Sequence, residues 1–213
     1  MGDTIITYLK SALFYQKGQP VIFTQLYFWG FFAVILSIYS IIFKKNTLRT
    51  VFLLLVSFFF YYKTSGVFLI LLIFTIVSDY NWGRLIYKTE SIARKKLYLT
   101  FSMILNLSLL CYFKYAYFFV DSINQMAGAD IHFFNYFTQF SNTFLSTSDP
   151  VDKLILPVGV SFFTFQSISY TIDLYRKKIE PVKSVFDYGF FVCFFPHLVA
   201  GPIVKANEFL YQI

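Results

Sequence analysis

The sequence predicts an all-α, polytopic membrane protein: a helical bundle in which some helices are broken or re-entrant. Three observations carry this. The 213-residue chain is 57% hydrophobic and 14% charged, with a mean hydropathy of +0.61. Its apolar residues gather into runs near or above the roughly 20 residues that a membrane-crossing helix needs. Its Lys and Arg gather into short clusters between those runs, the pattern that orients a membrane protein. The net charge of +7 therefore points to a lipid bilayer and away from nucleic acid, for which no basic arm exists.

Residues 1–20 have no continuous apolar core and do not read as a signal peptide. Ile5, Ile6, Leu9, Leu13 and Phe14 give them a partial apolar face, which predicts an interfacial segment. Residues 21–213 then read as one multi-spanning membrane domain, with neither linker nor repeat. Its predicted segments are 21–43, the short 48–62, 66–86, 97–120 interrupted by Lys114, 154–175, and 185–204 interrupted by Pro196 and by Gly201-Pro202. Residues 121–153 are the long polar loop, with an aromatic middle over 131–137. Cys111 and Cys193 sit in apolar surroundings and read as packing residues. No spacing suggests a metal site.

The loops alternate in charge. Lys44, Lys45 and Arg49 follow the first segment. Arg84, Lys88, Arg94, Lys95 and Lys96 follow the third, and Arg176, Lys177, Lys178 and Lys183 follow the fifth. The intervening loops carry only Lys63, or Lys153 against Asp121, Asp130, Asp149 and Asp152. The positive-inside rule then places the three basic loops in the cytoplasm and the N-terminus outside, against the minor weight of Lys10 and Lys17.

The fifth segment is the most informative. It carries a Pro157-x-Gly159 breaker together with Ser161, Thr164, Gln166, Ser167, Ser169 and Thr171. Each unpaired polar group in hydrocarbon costs several kcal/mol, so such a segment must face protein or a wet cavity. Ser161, Thr164, Gln166 and Ser167 are read as sharing a helical face, either bonding neighbouring helices or lining a passage. Asp173 with Arg176, and Asp79 with Arg84, read as helix-face ion pairs. Lys114 reads as a snorkelling side chain. His197 follows Pro196 where the helix must bend; it is either a polar group serving the freed backbone or a functional imidazole. His132 reads as a surface residue.

Four blocks carry a family resemblance. They are Ser78-Asp79-Tyr80-Asn81-Trp82-Gly83; Tyr112-Phe113-Lys114-Tyr115-Ala116 with Asp121-Ser122-Ile123-Asn124; residues 156–176; and Phe194-Phe195-Pro196-His197-Leu198-Val199-Ala200-Gly201-Pro202-Ile203. In this order they resemble the membrane-bound O-acyltransferases, in the branch that acetylates alginate. The resemblance implies transfer of a short acyl group, acetyl foremost, from a cytoplasmic thioester donor to a hydroxyl acceptor through a tunnel across a bacterial inner membrane. The acceptor would be an exopolysaccharide or cell-envelope polymer. The donor would be acyl-CoA or an acyl carrier protein, with no bound cofactor, and an outer-side acyltransferase would act as partner on the polysaccharide.

The resemblance places the family's essential histidine beyond Ile213. This chain is thus expected to be the N-terminal part of such an enzyme, with no catalytic residue of its own and no activity alone. His197, Gln166, Ser161, Thr164 and Ser167 become substrate-channel candidates; Arg176, Lys177 and Lys178 become candidates for the donor phosphates, Arg by its fork geometry. A non-catalytic scaffold and a transporter or channel subunit remain the alternatives, since broken polar helices suit transporters equally.

Overall fold

A computed structural model describes residues 26–132, 134–145, 156–201 and 204–210. The predicted interfacial segment at 1–20, the start of the first membrane segment, residues 146–155 and the Pro202 break lie outside them. Every regular element among the described residues is helical: α1 (Leu26–Ile42), α2 (Asn46–Ser65), α3 (Phe68–Lys88), α4 (Ile92–Leu110), α5 (Ala116–Ala127), α6 (Tyr136–Leu145), α7 (Val160–Tyr175), α8 (Val185–Cys193), α9 (Phe195–Ala200) and α10 (Ala206–Leu210). A π turn, Cys111–Tyr115, joins α4 to α5.

Helix α3 is the centre of the bundle, packing on α2, α4, α7 and α8. At 21 residues it spans about 31 Å, the thickness of a hydrocarbon core. Its outer face stays apolar: Phe74 is 53% exposed, as are Leu55 on α2 (60%) and Ile104 on α4 (55%). A soluble monomer does not expose a continuous apolar belt of this kind, whereas a membrane protein presents it to lipid. Two helices, Phe68–Lys88 and Ile92–Ala127, are long and apolar enough to cross a membrane by length and composition.

Three boundaries differ from expectation for identifiable reasons. Helix α2 is a full 20 residues, because the polar Lys63-Thr64-Ser65 tail stays helical. Thr64 Oγ1 bonds back to Phe60 and Tyr61 carbonyls, and Gly66, at φ +58°, ends the helix. Lys114 does not break the fourth segment. The π turn adds a residue and shifts the register, leaving Phe113 buried and Lys114 exposed. The polar loop holds helix α6. Asn135 Oδ1 caps it through Thr138 N (3.1 Å) and also accepts the Tyr112 hydroxyl, while Phe137 stacks on Phe68 at 5.1 Å.

The two ends of the bundle are distinct. At one, the start of α2 and the α7–α8 connection share a cleft lined by Asn46, Thr47, Thr50 and residues 180–183 with Asp187. At the other, Ser65 Oγ accepts Val158 N.

Candidate functional site: the junction of two broken helices

The sixth predicted segment is two helices. Helix α8 stops at Cys193; Phe194 adopts φ −52°, ψ 110° and α9 begins at Phe195 with Pro196 in its first turn. An unbroken helix would pair Phe195 N–H with the Phe191 carbonyl. Here the two are separated, and each finds a side chain from another helix. Gln166 Nε2 on α7 donates to Phe191 O at 2.7 Å. Phe195 N donates to Ser57 Oγ on α2 at 3.3 Å, and that hydroxyl donates on to Leu53 O. Gln166 and Ser57 are fully buried, so this is an interior break in which the carbonyl and the amide of one broken helical bond are each satisfied by a side chain.

Helix α7 also begins at a break. Gly159 sits at φ +71°, a conformation costly for a residue with a Cβ. A Cβ there would also lie 2.9 Å from Leu198 O. The start of α7 therefore touches α9, and the two breaks meet. The chain after α9 folds back tightly: a Cβ on Gly201 would fall 2.5 Å from His197 Cα. The His197 ring packs edge-on against Phe194 (5.0 Å) and near Phe209 (5.6 Å).

Three buried polar atoms of this region have no hydrogen-bond partner among the described residues: Thr164 Oγ1, Gln166 Oε1 and His197 Nδ1. Buried polar groups are normally paired, and each exception needs an explanation. The remaining candidates sit elsewhere. Ser161 Oγ meets Lys114 Nζ at 3.4 Å. Ser167 Oγ accepts the Tyr188 hydroxyl at 3.1 Å. Of the four polar residues of α7, Ser161, Gln166 and Ser167 thus serve different neighbours, while Thr164 Oγ1 has none among the described residues.

Ser167 belongs to a second polar centre. Asp79, fully buried, accepts Ser102 Oγ at 2.7 Å and Asn106 Nδ2 at 2.9 and 3.0 Å, and Ser167 also faces it. This knot joins α3, α4, α7 and α8. Asp79 does not pair with Arg84, whose guanidinium lies 5.6 Å from the Tyr80 ring centre. Five positions after Asp79, Arg84 falls off its helical face, and burial carries Asp79 inward while Arg84 stays exposed. The sequence reading passed over Ser57, Ser102, Asn106 and Tyr188. For Ser102 and Asn106 a signal was present: two polar residues at i, i+4 in an apolar helix share a face.

At the basic end, Asp173 and Arg176 form no ion pair among the described residues. The α7 terminus is instead a Schellman turn, with Lys177 N bonded to Leu174 O and Lys178 N to Asp173 O. Lys177 occupies the left-handed position (φ +56°). Arg176, Lys177 and Lys178 are all exposed. Three open clefts lie at the α5 exit (lined by Tyr117, Asp121, Asn124 and His132 among others), on α3 around Asn81 and Trp82, and at the basic end beside Lys183. Their linings do not include Ser161, Thr164, Gln166, Ser167 or His197. Among the described residues no three His, Cys, Asp or Glu side chains converge as a metal site.

Comparison with known proteins supplies the family. A probable alginate O-acetylase, AlgI, of Azotobacter vinelandii is 33% identical over 147 residues, covering 69% of this chain and 26% of the relative. The probable alginate O-acetylase AlgI of Pseudomonas aeruginosa is 34% identical over 149 residues, covering 67% and 25%. A peptidoglycan O-acetyltransferase of Helicobacter pylori is 33% identical over 169 residues, covering 68% and 29%. The chain thus spans about a quarter of the length of the curated relatives it matches. No family model and no solved structure matches it. Over the matched residues, this chain belongs with the membrane-bound O-acyltransferases, among relatives named as alginate and peptidoglycan O-acetyltransferases.

Proposed function

We propose that this chain forms the N-terminal part of a membrane O-acetyltransferase that moves an acetyl group from a thioester donor to a hydroxyl of an envelope polymer or exopolysaccharide. The hydroxyl oxygen adds to the thioester carbonyl carbon as a general base takes its proton, the C–S bond breaks, and the base returns that proton to the departing thiolate, which leaves as the thiol with its carrier. That base is assigned to the portion of the relatives that this chain does not span. The observation that carries the reading is the meeting of two helix breaks with three unpartnered buried polar atoms, on Thr164, Gln166 and His197. Their free valences suit a ligand or the rest of the site, and membrane-embedded polar groups of this kind mark function.

The basic loops face the cytoplasm of a bacterial inner membrane in this reading, and residues before α1 lie outside. Arg176, Lys177 and Lys178 then meet the phosphates of acyl-CoA or of an acyl carrier protein. Ser161, with Lys114, lies toward the outer mouth, where an acyltransferase partner receives the group for the polysaccharide. The test is acetyl transfer by the full-length protein in membranes. His197→Ala lowers turnover at least about tenfold, the scale of a lost positioned polar group. An Arg176→Gln/Lys178→Gln pair raises the donor KM. Unchanged acetyl content for His197→Ala at wild-type protein level removes the junction from the site.

A further inference from the structure

We propose that Gln166 and Ser57 are positioning residues for His197: they hold open the break between α8 and α9 that decides where the imidazole stands. The proposal rests on the reading of His197 as a lining group, and it concerns two residues that sit on other helices. Phe191 O and Phe195 N are each other's natural partners in a continuous helix. Separating them is tolerable only because Gln166 Nε2 takes the carbonyl at 2.7 Å and Ser57 Oγ takes the amide at 3.3 Å. Pro196 brings no N–H; it makes a break here possible and leaves its angle open. The angle is decided by where α7 and α2 place their two side chains.

His197 follows directly. Its own N–H and that of Leu198 both bond Phe194 O at 3.0 Å, so the turn that carries the imidazole hangs from the break residue. Phe195 is held against Phe60 of α2 (5.2 Å), on the same helix as Ser57. If Gln166 loses its donor, Phe191 O is left unpaired in the membrane interior. The cheapest repair is the missing helical bond from Phe195 N, which pulls Phe195 off Ser57 and swings the His197 turn with it. Gln166 Oε1, unpartnered and buried, is the other end of the same amide, so committing Nε2 to Phe191 O also fixes where that free acceptor stands.

The chain has two histidines, His132 in the outer connection and His197, so the experiment is 15N-histidine NMR of the full chain in detergent, with His132→Asn to assign the signals. Gln166→Met keeps the volume and removes the donor; Ser57→Ala removes the acceptor; Ser57→Thr restores it. The expected result is that Gln166→Met and Ser57→Ala each shift or broaden the His197 ring signals, that Ser57→Thr returns them, and that Asn106→Leu, a disruption of equal burial in the Asp79 knot, leaves them in place. Native His197 signals in folded Gln166→Met and Ser57→Ala overturn the proposal. So does an equal response to Asn106→Leu. If the signals move while acetyl transfer in the full-length protein does not, the positioning stands and the role of His197 in transfer falls.

Discussion

The Asp79 knot gives the most quantitative prediction. Asp79→Leu removes the acceptor for Ser102 and Asn106 in a site with no access to water. The loss is not the sum of the lost bonds. Ser102 and Ser167, which also faces Asp79, can each turn to the carbonyl four residues back, of Tyr98 and of Phe163, as Ser37, Ser40 and Ser122 do with theirs. Asn106 keeps Ser102 O at 3.0 Å for one of its N–H groups. One buried N–H is left unpaired, which costs about 1–3 kcal/mol, so Asp79→Leu should destabilise by about 2 kcal/mol. Asn106→Leu is worse, about 3 kcal/mol, because the group left short of donors is a carboxyl. In the double variant each leucine meets the other and neither partner is orphaned. Its cost should stay at about 2–3 kcal/mol, a coupling of about 2 kcal/mol, at the upper end for polar pairs between membrane helices. The assay is reversible unfolding in mixed micelles followed by Trp fluorescence. Trp82 is a suitable reporter, since it stacks on Tyr98 and Phe101 at 5.9 Å across the α3–α4 contact. Single-variant losses that simply add would refute the knot as a unit.

Three further outcomes follow from the packing. Lys177 holds a left-handed backbone, so Lys177→Gly should stabilise by about 0.5–1 kcal/mol in the same unfolding assay, the relief from strain exceeding the entropy that glycine adds to the unfolded chain. Gly83 lets α3 approach α7: a Cβ would lie 2.8 Å from Leu174 Cδ1 and 2.9 Å from Tyr170 Cε1. Gly83→Ala should therefore cost about 1–3 kcal/mol by overpacking, with Gly30→Ala, whose Cβ meets nothing within 4 Å in helix α1, as the control that loses no stability and gains helix propensity. Of the two thiols, Cys111 is exposed and Cys193 is fully buried. A small membrane-permeant maleimide should label at most one cysteine per chain, Cys111, in mild detergent and both in SDS, by intact-mass measurement, and Cys193 labelling in the folded state would contradict the packing of α8.

Much of the fold was legible because a bilayer imposes a strong code. Hydrocarbon requires backbone groups to pair within a segment, so apolar runs of the right length become helices whatever their neighbours do. The runs at 66–86 and 97–120 therefore reappear as α3 and the α4–α5 helix with boundaries shifted by two to seven residues. The break before His197 was legible for the same local reason: Pro196 lacks a donor. Helix α6 was missed, because its start depends on Asn135 meeting Thr138 N and Tyr112, and its seat on Phe137 reaching Phe68, contacts between residues far apart in sequence.

By itself, then, the sequence determined the solvent, the helical class, the places where helices cannot continue, and the blocks that carry the family resemblance. Each of these follows from neighbours along the chain. Only the tertiary structure decided which polar groups meet. Asp79 turned from Arg84 to Ser102 and Asn106, because a buried carboxyl must be served by whatever donors the facing helix brings within about 3 Å. Gln166 and Ser57, from α7 and α2, came to share one broken bond in α8–α9. The i, i+4 spacing of Ser102 and Asn106 marks a polar helix face but not the carboxyl it meets, and nothing in local spacing marks Gln166 or Ser57 as partners of the broken bond. Both partnerships exist because helix packing sets which side chains face one another, and an unpaired group in the membrane interior accepts the donor that packing offers.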